Sequence, residues 1–210
     1  VFLPVDALLK RRRVDMIVFV VAFSLYFYYK SSGIFFLLII ATSIFDYLLS
    51  HKLVSCTKEW QRKLCVALSV TASLSILGYF KYANFFALSW AHIVGTNFQP
   101  MDIILPVGIS FYTFQSISYI VDVYRHRVEP TDSWLEYIFF LSFFPALVAG
   151  PIVRADHFLP QIKENRMPSH DEVWMGFWLI LLGIVKKSLL ADYIAQYNFI
   201  VFATPETYTG

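Results

Sequence analysis

The stretch LPVGISFYTFQSISYIVDVYR, Leu105 to Arg125, is 21 residues long and carries one acidic residue, Asp122, before its terminal arginine. A helix of that length reaches about 31 Å, which matches a bilayer hydrocarbon core of about 30 Å. Gly108, Tyr112, Gln115, Tyr119 and Asp122 follow one another at steps of four, three, four and three, so on a helix they form one stripe, with Ser118 beside it. That face is expected to look into protein or a wet cavity. Ionisable groups at membrane depth cost a few kcal/mol and are functional suspects by default. Asp122 and Arg125 also stand at i and i+3, where an interfacial ion pair accounts for both.

Outward from this segment the chain is equally apolar. Its 210 residues are 58% hydrophobic, 19% aromatic and 15% charged, against about 25% charge in soluble domains. Too little polar surface remains to coat a soluble core, and ordinary soluble enzymes are excluded. Upstream, Lys10-Arg11-Arg12-Arg13 precedes an apolar run ending in Tyr26-Phe27-Tyr28-Tyr29, and Ser31-Ser32-Gly33 joins it to a second run, Ile34 to Ser50, with Asp46 near its end. His51 to Lys63 is basic again, Leu64 to Phe80 is a third span, and Arg125-His126-Arg127 is a third basic cluster. By the positive-inside rule the three basic segments lie in the cytoplasm, an in-out-in-out-in path through residue 127. Phe80 to Phe98, interrupted by Lys81, Asn84, His92 and Asn97, reads as a segment along the interface.

Downstream, Trp134 to Gly150 contains Pro145 and ends at Gly150-Pro151, where a helix kinks or stops. Arg154 follows that break, positioned for an anionic donor or a freed backbone carbonyl. Val173 to Val185 has only 13 residues before Lys186-Lys187, about 20 Å of helix and too short for a crossing. The two lysines suit an anionic phosphate of a coenzyme or lipid, or snorkel at the interface. The reading is an all-α polytopic membrane protein with re-entrant or broken helices, a single membrane domain over 1–210. Its spans fall at 14–29, 34–50, 64–80, 105–125, 134–150 and 173–202, the last two broken or re-entrant.

The chemistry is sparse. The net charge is only +2 and no basic tract interleaves with aromatics, so nucleic acid is not an expected partner. Cys56 and Cys65 make neither a disulfide framework nor a zinc pattern. None of His51, His92, His126, His157 and His170 has a second ligand at metal spacing, so no metal is expected. Phosphate loops, nucleophile elbows and metalloprotease motifs are absent. The substrate-binding or donor-binding candidates are Gln115, Tyr119, Asp122, Arg154, Lys186 and Lys187.

Leu105 to Arg125 resembles the signature of the membrane-bound O-acyltransferase family, in its alginate O-acetyltransferase branch. Three further segments resemble the family in order and spacing: GYFKYANFF (Gly78 to Phe86), FFPALVAGPIVRADHFLPQI (Phe143 to Ile162) and GIVKKSLLAD (Gly183 to Asp192). Ala146 departs from the pattern, where a glutamine commonly follows Phe-Phe-Pro. The resemblance implies the N-terminal portion of a multi-pass enzyme of the bacterial inner membrane. Such an enzyme moves an acyl group, usually acetyl, from a cytoplasmic donor such as acetyl-CoA, a substrate rather than a bound cofactor. The acceptor is a hydroxyl of an exported polysaccharide or envelope glycan, reached with an extracytoplasmic glycan-acetylating partner. The family assigns the base to a membrane-embedded histidine that its layout places beyond Gly210. No catalytic residue is therefore assigned here, and the chain alone is expected to be inactive. The competing readings are a transporter or channel, which needs inverted repeats that the sequence does not display, and a silent scaffold for a glycan-modifying partner.

Overall fold

The structure, a computed structural model, describes residues 13–163 and 168–203. Lys10 to Arg12, Glu164 and Arg166 lie outside the described residues. The described residues are helical, with turns and extended connections and no strand. They divide between two compact units, Val1–Asn165 and Arg166–Gly210.

In the first unit α1 (Arg13–Ser32) and α2 (Phe36–Ser55) are joined by a tight turn of 3-10 helix, Gly33–Phe35. Helix α3 (Glu59–Leu77) continues through one π-helical stretch, Gly78–Tyr82, into α4 (Ala83–Val94). Helix α5 (Ile109–Tyr124) returns, and α6 (Trp134–Ser142), α7 (Phe144–Ala149) and α8 (Ala155–Lys163) complete the unit. Three helical stretches are long and apolar enough to cross a bilayer, Val14–Ser55 (folded back at its turn), Glu59–Val94 and His170–Ala203. This is an integral membrane protein.

Long-range bonds give the direction of each helix. Arg62 donates to the Tyr124 carbonyl at 2.8 Å and Lys81 to the Ser110 hydroxyl at 3.4 Å, so α3 and α5 run antiparallel. Gln115 donates to the Phe140 carbonyl at 2.9 Å and the Thr131 N–H to the Tyr119 hydroxyl at 3.1 Å, so α6 runs against α5. Both arms of the first hairpin lie along α6 and its extension: the Phe144 N–H donates to Ser24 Oγ, and the Tyr47 hydroxyl to the Asp132 carbonyl. One end of the bundle gathers Ser55, Glu59, Arg62 and Arg125 to Asp132, and the other Ser32, Lys81 and Val107 to Ser110.

Several expectations change. Leu105 to Arg125 is not one helix: α5 starts at Ile109, and its 16 residues reach about 24 Å. Gly108 stands before it at φ +73°, in the left-handed region that Gly occupies without strain. An added Cβ there would meet the Leu147 carbonyl oxygen at 3.0 Å. Gly108→Ala is expected to lower stability by about 1–2 kcal/mol, the cost of left-handed backbone for an L-residue. Unfolding in detergent measures it, and an unchanged midpoint would contradict the tight approach. The interruption at Lys81 is a π turn within a 36-residue helical stretch, and Asn84 spends its amide on the Met101 backbone, with bonds of 2.8 and 2.9 Å.

In the second unit α9 (His170–Val185) begins at a capping box made by Ser169 and Glu172, which satisfies two orphan backbone donors. The helix does not stop at Lys186-Lys187. It widens into a π-helical stretch, Lys186–Ala191, and continues as α10 (Asp192–Ala203). The shortness argued for Val173 to Val185 therefore fails: the lysines sit within a 34-residue helical stretch, and Lys187 is paired with Asp192 at 2.5 Å.

Candidate functional site

Three sequence stripes converge on Asp46. On α2 the buried positions Ile39, Thr42, Ser43, Asp46, Leu49, Ser50 and Leu53 recur at helical spacing. On α3 the stripe is Cys65, Ser69, Ser73 and Leu77, four residues apart, and on α5 it includes Tyr112, Gln115, Ser116, Tyr119 and Asp122. Small serines let the three backbones approach closely, and their hydroxyls bond across helices.

The Asp46 side chain is 0% exposed. Its Oδ1 accepts from Ser69 Oγ at 2.6 Å, and its Oδ2 accepts from Ser116 Oγ and from the Tyr137 hydroxyl at 3.4 Å. Ser73 and Ser116 hydroxyls lie 3.5 Å apart, and Trp134 donates to Ser43 Oγ at 3.0 Å. One carboxyl thus takes donors from three neighbouring helices. A buried acidic group is tolerable only when satisfied in this way.

The stripe of α5 faces protein. Gln115, Tyr119 and Asp122 are all buried, and the first two spend their polar atoms on other segments: Gln115 on Phe140, Tyr119 on Ser50 Oγ at 3.4 Å and on the Thr131 N–H. Asp122 pairs with Arg127 at 3.8 Å, not with Arg125. The chain leaves helical geometry at Arg125 and turns through His126 at φ 56°, which carries Arg127 back over the helix end. The Arg127 N–H also donates to the Asp122 carbonyl at 2.9 Å.

A second feature is the re-entrant path after α6. Phe143 breaks the helix, α7 turns at the Leu147 level, and extended residues from Gly150 bring the chain back to α8. Phe158 of α8 packs on Phe139, Phe140 and Phe143 with ring centres 5.7, 5.7 and 5.4 Å apart. Between α8 and the loop after α5 lies a recess of about 440 Å³, lined by Arg127, Thr131, Asp132, Asp156, Leu159 and Pro160 among others. Thr131 Oγ1 and Asp156 Oδ1 are buried there without a hydrogen-bond partner among the described residues. A neighbouring recess of about 470 Å³ includes His51 and His126. Arg154 is exposed at the start of this returning segment. Lys186 and Lys187 belong to the second unit.

Asp46, Ser69, Ser116 and Tyr137, and the recess residues Thr131 and Asp156, were not among the candidates drawn from sequence. The four-residue serine period of α3 was the available signal for the first group. The recess is made by a loop, where no periodicity operates.

The chain is similar over its whole length to the protein named probable alginate O-acetylase AlgI of Pseudomonas aeruginosa, with 35% identity and 41% of that protein covered. The chain belongs to the membrane-bound O-acyltransferase family. A peptidoglycan O-acetyltransferase of Helicobacter pylori is 31% identical over 83% of this membrane-bound O-acyltransferase chain and 38% of its own length. A teichoic acid D-alanyltransferase of Lacticaseibacillus rhamnosus is 27% identical over 70% of the chain and 41% of its own length. The chain therefore spans about two fifths of the length of the curated relatives it matches. No family model matches it, and no solved structure does.

Proposed function

We propose that this chain is the scaffold-bearing part of an enzyme that transfers an acyl group, acetyl in the first instance, to hydroxyls of an exported polysaccharide or cell-envelope glycan. The observation that carries the reading is the 35% identity to an alginate O-acetylase across the entire chain. The peptidoglycan and teichoic acid relatives widen the acceptor class to envelope glycans. The setting is the bacterial inner membrane, with a thioester such as acetyl-CoA on the cytoplasmic side and an extracytoplasmic glycan-acetylating partner opposite.

In the reaction, an acceptor oxygen bonds to the acyl carbon, the carbon–sulfur bond breaks, and the hydroxyl proton passes to a base while the thiolate leaves. Donors must stabilise the charge that develops on the acyl oxygen. The base is not assigned to any residue of this chain. Gln115, Tyr119 and Asp122 hold shape, fixing α5 against α6 and the following loop. Arg154, exposed just before α8, is proposed as the cation that meets an anionic donor, and Lys186 and Lys187 are proposed for the same class of contact.

Arg154→Ala in the full-length enzyme is expected to lower acyl transfer roughly tenfold or more, the worth of one charge-assisted bond, with membrane insertion unchanged. Transfer of radiolabelled acetyl from membranes to glycan measures it. Unchanged transfer removes Arg154 from the site. Uptake of label without covalent transfer in the unsubstituted protein would favour a transporter, and neither uptake nor transfer a scaffold.

A further inference from the structure

The groove between the last turns of α2 and the first turns of α3 lies about one turn beyond the Asp46 network, with Leu49 and Cys65 of the two buried stripes at its floor. It has a volume of about 260 Å³ and is lined by Leu49, Lys52, Cys56, Trp60, Gln61, Leu64, Cys65 and Leu68. Leu64 and Leu68 are each 49% exposed and Trp60 61%. The groove is thus an apolar slot with a cation and an indole at its rim. It lies at the helix ends, between Ser55 and Glu59, where Trp is favoured at headgroup level.

The charges around the rim are one-sided. Lys52, which lines the groove, and Lys58, in the turn between the two helices, are exposed. The acid of that turn, Glu59, accepts from the Tyr124 hydroxyl at 2.5 Å. Arg62 donates to the Tyr124 carbonyl and lies over its ring at 5.3 Å. Both are therefore held toward α5, and Lys63, one helical turn from Glu59, acts on that carboxylate as well, so Lys52 and Lys58 remain as the charge beside the slot. This is also the end that the positive-inside rule assigns to the cytoplasmic leaflet, the leaflet of anionic lipids.

We propose that this groove is a binding site for an anionic phospholipid, with one acyl chain along Leu49, Leu64 and Leu68 and the headgroup phosphate at Lys52 and Lys58. A generic annular lipid needs only the apolar slot; the lysine rim adds selectivity for negative charge. The occupant is a lipid of the surrounding bilayer, and the site is separate from the acyl-transfer reading.

The test uses the full-length protein in vesicles of phosphatidylcholine and phosphatidylglycerol, with a trace of either lipid carrying a photoactivatable group on its acyl chain. Cross-linked peptides are mapped by mass spectrometry. The expected result is enrichment of the phosphatidylglycerol probe over the phosphatidylcholine probe on the peptide spanning residues 49–68, of order fivefold for each engaged lysine. The double substitution K52Q/K58Q brings the two probes to equal yield without abolishing labelling. Leu64→Trp, which fills the slot, lowers labelling by both. Equal yields of the two probes on the unsubstituted protein would overturn the proposal, leaving an ordinary annular contact. A preference that survives the double substitution would overturn it as well.

Discussion

Asp46→Ala is expected to destabilise the first helical unit by about 2–4 kcal/mol. Three hydroxyl donors, on Ser69, Ser116 and Tyr137, lose their acceptor at once. An abandoned buried donor costs about 1–3 kcal/mol, and interhelical bonds in membranes average nearer 0.6 kcal/mol because serines rebond to their own helix. Over three donors the membrane average gives about 2 kcal/mol and the lower end of the abandoned-donor cost about 3, and these set the stated range. Asp46→Asn keeps one acceptor oxygen in place and is expected to lose about half as much. Tyr137→Phe removes one donor, so Asp46→Ala combined with Tyr137→Phe should cost little more than Asp46→Ala, the non-additivity of residues that share a bond. Unfolding midpoints in detergent decide the matter. An Asp46→Ala protein within 0.5 kcal/mol of the unsubstituted one would show that this carboxyl does not join the helices.

Gly150→Ala is expected to reduce acyl transfer by about a hundredfold in the full-length enzyme while leaving the rest of the bundle assembled. A Cβ at Gly150 would stand 2.5 Å from Ala146 Cα, 3.0 Å from its carbonyl oxygen and 3.2 Å from its carbonyl carbon. These are backbone atoms of the preceding turn and no rotamer change clears them. The last turn of α7 must open, at a cost of about 1–3 kcal/mol, and the segment leading to Arg154 moves with it. Displacement of a positioning group by about 1 Å is enough for a hundredfold loss. Labelled-acetyl transfer measures the effect, with limited proteolysis to establish that α1 to α6 remain folded. Full activity in Gly150→Ala would mean that the re-entrant segment has no part in placing the donor.

The two substitutions probe different parts of the molecule, and the sequence bears on them unequally. That α5 hides one face is readable from the spacing of Tyr112, Gln115, Tyr119 and Asp122, because helical period is a local property of the chain. Asp46 was visible as an acid inside an apolar run, without its partners. The break at Gly150-Pro151 was visible from Pro and Gly chemistry alone. Its consequence, a chain that turns back so that Phe158 packs on Phe139, was not, since it depends on contacts between separate elements.

The limits of helices were the least legible. Apolar composition extends across Leu105 to Val107, yet Gly108 at φ +73° and the Leu147 carbonyl beside it end the helix there. Lys186-Lys187 resembled a terminus by charge, but the Lys187 to Asp192 pair, five residues apart, lets the helix widen and continue. Asp122 was matched with the wrong arginine because spacing along an ideal helix favours Arg125, whereas the turn at His126 returns Arg127.

Composition and periodicity were sufficient for the membrane setting, the helical class and the buried stripe, since each follows from residues within a turn or two of one another, and four ordered motifs carried the family. The tertiary structure alone decided that Asp46 joins α2, α3, α5 and α6 through donors 23, 70 and 91 residues away. The physical reason is that satisfying one buried carboxyl is a requirement on the whole bundle, met by whichever hydroxyls the packed helices bring within reach.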